Sequence, residues 1–169
     1  MEIGSARERI LVALLIYALG EKAINTEIPI TETEVDVYVD SYPISIKTVS
    51  GKNLGGIKLI WTVDPLKAKE FLENYQPKCD LLLVQINWND FGCMYLIPIE
   101  VQSQVLKKLG RKNYIKLPKQ GTNPRGVELS KEAMQNFIEH KDIKKIIIEF
   151  KRQNLDYDQF KRWINYWQN

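Results

Sequence analysis

The chain is poor in the residues from which many active sites are built. It holds one histidine, His140, and two cysteines, Cys79 and Cys93, in 169 residues. The cysteines stand fourteen positions apart with no CxxC partner. A zinc site is therefore not expected, and two buried free thiols in a reducing cytoplasm are the default. His140 falls at the end of an expected helix, where a cation is mildly favoured, and nothing nearby pairs with it as a general base. Glycine-rich phosphate-loop spacing is absent, so nucleotide hydrolysis gains no support. The apolar run Leu11–Leu19 is far shorter than the ~20 residues of a membrane span. A signal peptide is a weak alternative for it, because Glu2 and Glu8 crowd the preceding segment and no small-residue cleavage site follows.

Acidic residues are missing from one long stretch. Residues 101–125 carry Lys107, Lys108, Arg111, Lys112, Lys116, Lys119 and Arg125 and not one Asp or Glu. Residues 1–100 hold 9 basic and 14 acidic side chains, net −5, and residues 101–169 hold 15 and 7, net +8. An acidic half beside a basic half fits a polyanionic partner, and neutralising phosphates is the direct use of such a cluster. Lys107 and Lys108 also suit the end of a helix begun near Val101. The turn-rich segment 119–126 offers Lys119, Gln120, Thr122, Asn123 and Arg125. Arg reads guanine and Asn or Gln reads adenine by paired hydrogen bonds, so this loop is the candidate for base recognition, with simple phosphate binding equally open. Ser50–Gly56 is a second basic, glycine-rich loop, in which Lys52 and Asn53 could touch the same partner.

Most elements announce themselves. Ser5 and Glu8 form the spacing of a capping box, opening a helix to about Leu19 that is apolar all round and is expected at the centre of the fold or in a dimer interface. Val35, Val37 and Val39 alternate with Glu34, Asp36, Tyr38 and Asp40, as in a half-buried strand. Ser41-Tyr42-Pro43 punctuates, and a second strand follows over Ile44–Val49. Asp64-Pro65 caps a helix over 66–75. Leu81–Ile86 is the continuous apolar run of a strand covered on both faces. Trp88–Gly92 turns the chain into a strand over 93–99. Val127–Leu129 is a further strand, and Ser130 caps a helix to about Glu139. Ile143 onward reads as a strand or a short buried helix. A terminal helix carrying Phe160, Trp163, Ile164 and Trp167 reads as core or subunit interface rather than a base-stacking surface, with dimerisation preferred. The length suits one domain, with a core in about 1–100 and a basic region after it.

The hairpin brings chemistry together. Alternation places Glu34 and Asp36 on one face of its first strand, and Ser45 and Lys47 on one face of its second. Two carboxylates beside a lysine suit metal-assisted phosphodiester hydrolysis: Mg²⁺ takes one or two protein carboxylates, and a lysine can orient or deprotonate the attacking water. The plain alternative is a surface hairpin with a cross-strand ion pair.

An acid on one strand, a hairpin, then a residue, an apolar residue and Lys resembles the core of the PD-(D/E)XK nucleases, which include type II restriction endonucleases and Holliday-junction resolvases. Asp36 matches the metal-binding aspartate and Lys47 the catalytic lysine. Ser45 stands where the family usually has an acid, and Val35 where it has the name-giving proline. The order helix, strand, strand, helix, strand, strand matches the family's α/β fold, a mixed central sheet flanked by helices. The resemblance implies a Mg²⁺-dependent, sequence-specific double-stranded DNA endonuclease, with Mn²⁺ able to substitute for Mg²⁺. It would act as a homodimer, with a cognate methyltransferase as a possible companion. Asp36, the Ile46 carbonyl and Glu34 would hold the metal, Lys47 would activate water, and Ser45 would bond water or phosphate. Glu8 would be a further acid, since family members often project one from the first helix. A junction or repair nuclease, and a DNA-binding protein without catalysis, are the alternatives.

Overall fold

The computed structural model describes residues 3–118, 126–152 and 160–168. A nine-residue strand, β3 (Tyr42–Ser50), pairs in parallel with β5 (Asp80–Ile86), register Ile46 with Leu82 and Lys47 with Leu83. β5 is buried from Leu81 to Ile86, as the apolar run requires of a strand covered on both faces. On one side of the pair lie β2 (Val37–Val39) and β1 (Ile24–Asn25), and on the other β6 (Asp90–Ile97) and β9 (Lys144–Phe150), all antiparallel. A second sheet of three short strands orders β4 (Lys58–Ile60), β8 (Val127–Leu129) and β7 (Ile115–Lys116). Both sheets join strands from the acidic and the basic halves of the chain.

The large sheet separates two cores. On one face, Ile46 and Leu82 pack with Val37 and Ile24 against Leu11, Val12, Leu15 and Ile16 of α1 (Ile3–Leu19). On the other, Leu81, Leu83, Val49 and Ile97 meet α3 (Ile99–Leu109), α5 (Lys131–Ile138) and the small sheet. Phe137 of α5 and Tyr114 of the short helix α4 (Arg111–Tyr114), both 0% exposed, meet edge to face at 5.8 Å in this second core. Deleting a buried phenyl ring removes its transfer energy and leaves a cavity, so Phe137→Ala should lower unfolding stability by about 3–5 kcal/mol in urea titration.

Several boundaries differ from the sequence reading. α1 begins at Ile3, so Ser5 is inside the helix rather than capping it. Nor is α1 buried all round: Ile10, Leu14 and Tyr17 are exposed on the side away from the sheet. The hairpin turn is Asp40-Ser41, at φ 46° and 71°, the two positive values that a two-residue I′-type turn demands; Tyr42 and Pro43 already belong to β3. β2 starts only at Val37, leaving Glu34 and Asp36 ahead of the strand. β6 starts at Asp90, after a turn in which Asn89 has φ 59°. Segment 144–150 is a strand, with Ile146 and Ile147 exposed. The terminal helix α6 (Lys161–Gln168) is not core, since Trp163, Ile164, Tyr166 and Trp167 all face solvent. The helix α2 (Pro65–Asn74) follows the sequence, with the Asp64 carboxylate accepting from the Leu66 and Lys67 N–H groups. Ser130 caps α5 in the same way through the Ala133 N–H.

Candidate active site

Just ahead of β2, Asp36 bonds β3 twice: its backbone N–H donates to the Ile44 carbonyl at 2.9 Å, and its side chain takes the Ile46 N–H. Asp36 Oδ2 accepts from the Ile46 N–H at 2.6 Å, from Lys47 Nζ at 3.1 Å and from Ser45 Oγ at 3.2 Å. Three consecutive residues of the strand thus converge on one carboxylate oxygen. The Asp36 and Lys47 side chains are 30% and 23% exposed. That separates the pair from an exposed ion pair, which screening makes worth little. Ser45 is buried beneath it.

Glu34 enters by another route. It lines, with Ser45, Lys47, Tyr75, Lys78 and Gln102, a cavity of about 20 Å³, room for a water molecule. Burial raises the Glu34 carboxyl above its ordinary value, against the opposing pull of the Lys78 charge and then the Lys47 charge. Burial, followed by the charges of Glu34 and Asp36, pushes the Cys79 thiol up to about 11, so it is no thiolate nucleophile near neutral pH. Burial likewise raises the Tyr75 phenol, which remains protonated. Gln102, 4% exposed, braces the floor by donating to the Cys79 carbonyl at 2.9 Å and the Ile97 carbonyl at 3.1 Å. Asp80 fixes the start of α3 by accepting from the Ile99 N–H at 2.8 Å.

The arrangement is a partly desolvated acid–lysine pair beside a second, half-buried carboxyl. No curated protein matches the chain. The profile of the restriction endonuclease ThaI family matches residues 1–169. The chain belongs to that family. It is a type II restriction endonuclease, with the mixed α/β fold expected. A solved structure, a restriction endonuclease in complex with substrate DNA, is similar to it at 52% identity and a TM-score of 0.90, over 99% of this chain and 81% of that one.

In this ThaI-family chain the expected site residues do not all gather. Asp36, Ser45, Lys47 and the Ile46 backbone meet directly, and Glu34 shares their cavity. Glu8 sits half-buried on α1, the helix covering the opposite face of β3 from Ser45 and Lys47, and is not among the cavity's walls. Its neighbour Arg7 donates to Ser50 Oγ at 2.6 Å, at the end of β3. Among the described residues no three His, Cys, Asp or Glu side chains cluster as a metal site.

The basic residues are less free than their count suggested. Lys116 lies 3.5 Å from Glu128, its cross-strand partner, so the run is not wholly uncompensated. Lys108 donates to Asn136 Oδ1 at 2.7 Å, and Arg111 buries its Nε without a hydrogen bond. Lys107 and Lys112 are exposed. Lys52 lies 3.0 Å from Asp90, whose carboxyl it holds below the usual range, while Asn53 is exposed. Gln85, buried in β5, anchors this loop by donating to the Gly51 and Lys52 carbonyls. Lys119, Gln120, Thr122, Asn123 and Arg125 lie outside the described residues. His140, read as structural, lies 3.2 Å from Gln104 Oε1 through Nε2.

The sequence reading passed over Lys78, Tyr75 and Gln102. The first is isolated between Pro77 and Cys79, and no periodic signal ties any of them to the hairpin upstream.

Proposed function

We propose that the chain hydrolyses double-stranded DNA at a specific sequence, using Mg²⁺ at a centre built from Asp36, Glu34 and Lys47. The observation that carries this is the convergence of Lys47, Ser45 and the Ile46 N–H on the Asp36 carboxylate. DNA as the substrate is supported by the 52%-identical restriction endonuclease, which is in complex with substrate DNA.

The donors fit Mg²⁺. It takes hard oxygen ligands, needs one or two protein carboxylates, and keeps water and substrate phosphate for the rest. Asp36 has a second carboxylate oxygen beyond the one its three donors share. Glu34 is a desolvated acid whose charge its lysine neighbours offset only in part, since its carboxyl stays raised. The Ile46 carbonyl projects to the same strand edge as its N–H, and so toward Asp36. The metal would supply charge stabilisation and a more acidic water. The protein's own contribution is positional. Asp36 fixes the Lys47 ammonium at 3.1 Å, where it can hand a proton to, or take one from, water in the cavity. Ser45 has one hydroxyl oxygen for Asp36 and water alike. Glu8 remains a candidate further acid, acting from the end of α1 nearest Ser50.

A homodimer is supported by apolar surface the monomer leaves open: Ile10, Leu14 and Tyr17 on α1, and Trp163, Ile164 and Trp167 on α6. A twofold pair would present one site to each strand of a palindrome. Lys107, Lys112 and the residues of segment 119–125 would meet phosphates and base edges. A cognate methyltransferase and a cytoplasmic place in the cell belong to the same reading; among the described residues no helix is long and apolar enough to cross a membrane.

Bacteriophage DNA incubated with the purified protein and Mg²⁺ should give discrete bands, lost in Asp36→Ala and in EDTA. Uncut DNA with a salt-sensitive gel shift would leave a binding protein instead.

A further inference from the structure

We infer that Lys78 contacts a backbone phosphate of the bound strand at the mouth of the catalytic cavity. The inference rests on placing the catalytic centre at Asp36 and Lys47. Lys78 lines two concavities at once: the cavity holding Glu34, Ser45 and Lys47, and an adjoining groove of about 310 Å³ whose walls include Glu32, Glu34, Val35 and Tyr38 and in which, among the described residues, Lys78 is the one cation. It therefore stands where the two concavities meet.

Its backbone is held firmly. Pro77 and Cys79 are buried on either side of it, and two residues later Asp80 pairs with Ile44 of the catalytic strand. The side chain, by contrast, is exposed, and no carboxylate lies within ion-pair distance of it among the described residues. Lys47 is already committed to Asp36 at 3.1 Å. Of the cations around the cavity, Lys78 is thus the one whose ammonium can move to an incoming anion without breaking a pair. The Lys78 charge is also the largest of those opposing the rise of the Glu34 carboxyl, so the lysine lies within electrostatic reach of the cavity's acid. A compact ammonium on a long stem is a point-charge phosphate binder.

The test uses single-turnover cleavage, in Mg²⁺, of duplexes containing the mapped site, each with one phosphate near the cut replaced by an uncharged methylphosphonate. In the wild type, one position should slow cleavage by about tenfold or more, the scale of a lost charge-assisted contact. In Lys78→Ala the unmodified duplex should be cut about tenfold or more slowly. At the same position the methylphosphonate should then add nothing. Lys78→Arg should retain the wild-type pattern. Equal wild-type and Lys78→Ala rates, or the same methylphosphonate profile in both, would overturn the assignment. Asp36→Ala run alongside separates the two readings, because cleavage surviving there removes the catalytic centre itself. Melting curves confirm folding, which an exposed lysine does not govern.

Discussion

Lys47→Ala should abolish most cleavage while leaving the protein folded and bound to DNA. The expected loss in single-turnover rate is about 10²–10⁴-fold, the range of a positioned proton-transfer group. Stability should change little, because Asp36 keeps two of its three donors, the Ile46 N–H and Ser45 Oγ. Asp36→Ala behaves differently. It removes the common acceptor, leaves the Ile46 N–H without its partner and strands the partly buried Lys47 ammonium. A buried donor left unsatisfied costs about 1–3 kcal/mol, so this variant should lose both cleavage and thermal stability. The contrast is what makes the pair informative: one substitution acts on the chemistry alone, the other on chemistry and scaffold together. Full-rate cleavage by Lys47→Ala would place the active site elsewhere in the chain.

The parts of this site that sequence revealed are those set by local rules. Alternating valines and Lys47 two positions beyond Ser45 mark a hairpin whatever surrounds it. Asp64-Pro65 and Ser130 mark helix starts because a cap is a contact within three residues. The apolar run Leu81–Ile86 marks a covered strand because both faces demand it. What was missed depends on distant partners. Ser5 has the spacing of a cap, yet α1 extends past it to Ile3. Glu34 and Asp36 alternate with valines, yet the strand begins after them, the Asp36 side chain takes the Ile46 N–H and Glu34 turns into a cavity shared with Tyr75 and Gln102. Counting acids in 101–125 could not find Glu128, which faces Lys116 only once β7 and β8 pair. Strands of two or three residues, such as β1, β4 and β7, are too short to carry a period.

Glu34→Gln should cost about a hundredfold or more in cleavage, since a metal's charge stabilisation is worth several kcal/mol, and at the same time should stabilise the metal-free protein. Burial raises the Glu34 carboxyl, so the folded state holds this proton more tightly than the unfolded chain does. Stability contributed by the protonated acid is present below the ordinary value of 4.5 and is lost as pH rises from there through the raised folded value. Above that window ionised Glu34 burdens the fold, and the neutral amide removes the burden. The melting temperature of Glu34→Gln should therefore exceed the wild type's at neutral pH in EDTA, with the gap closing toward pH 4. Mg²⁺ should reverse the order. A cation bound only by the folded state raises its stability, and ionised Glu34 is one of its proposed ligands. The wild type should gain melting temperature with Mg²⁺ and release protons in calorimetric titration, while Glu34→Gln gains less and releases fewer. Equal Mg²⁺ responses in the two proteins would remove Glu34 from the metal site and leave Asp36 as the sole carboxylate proposed there.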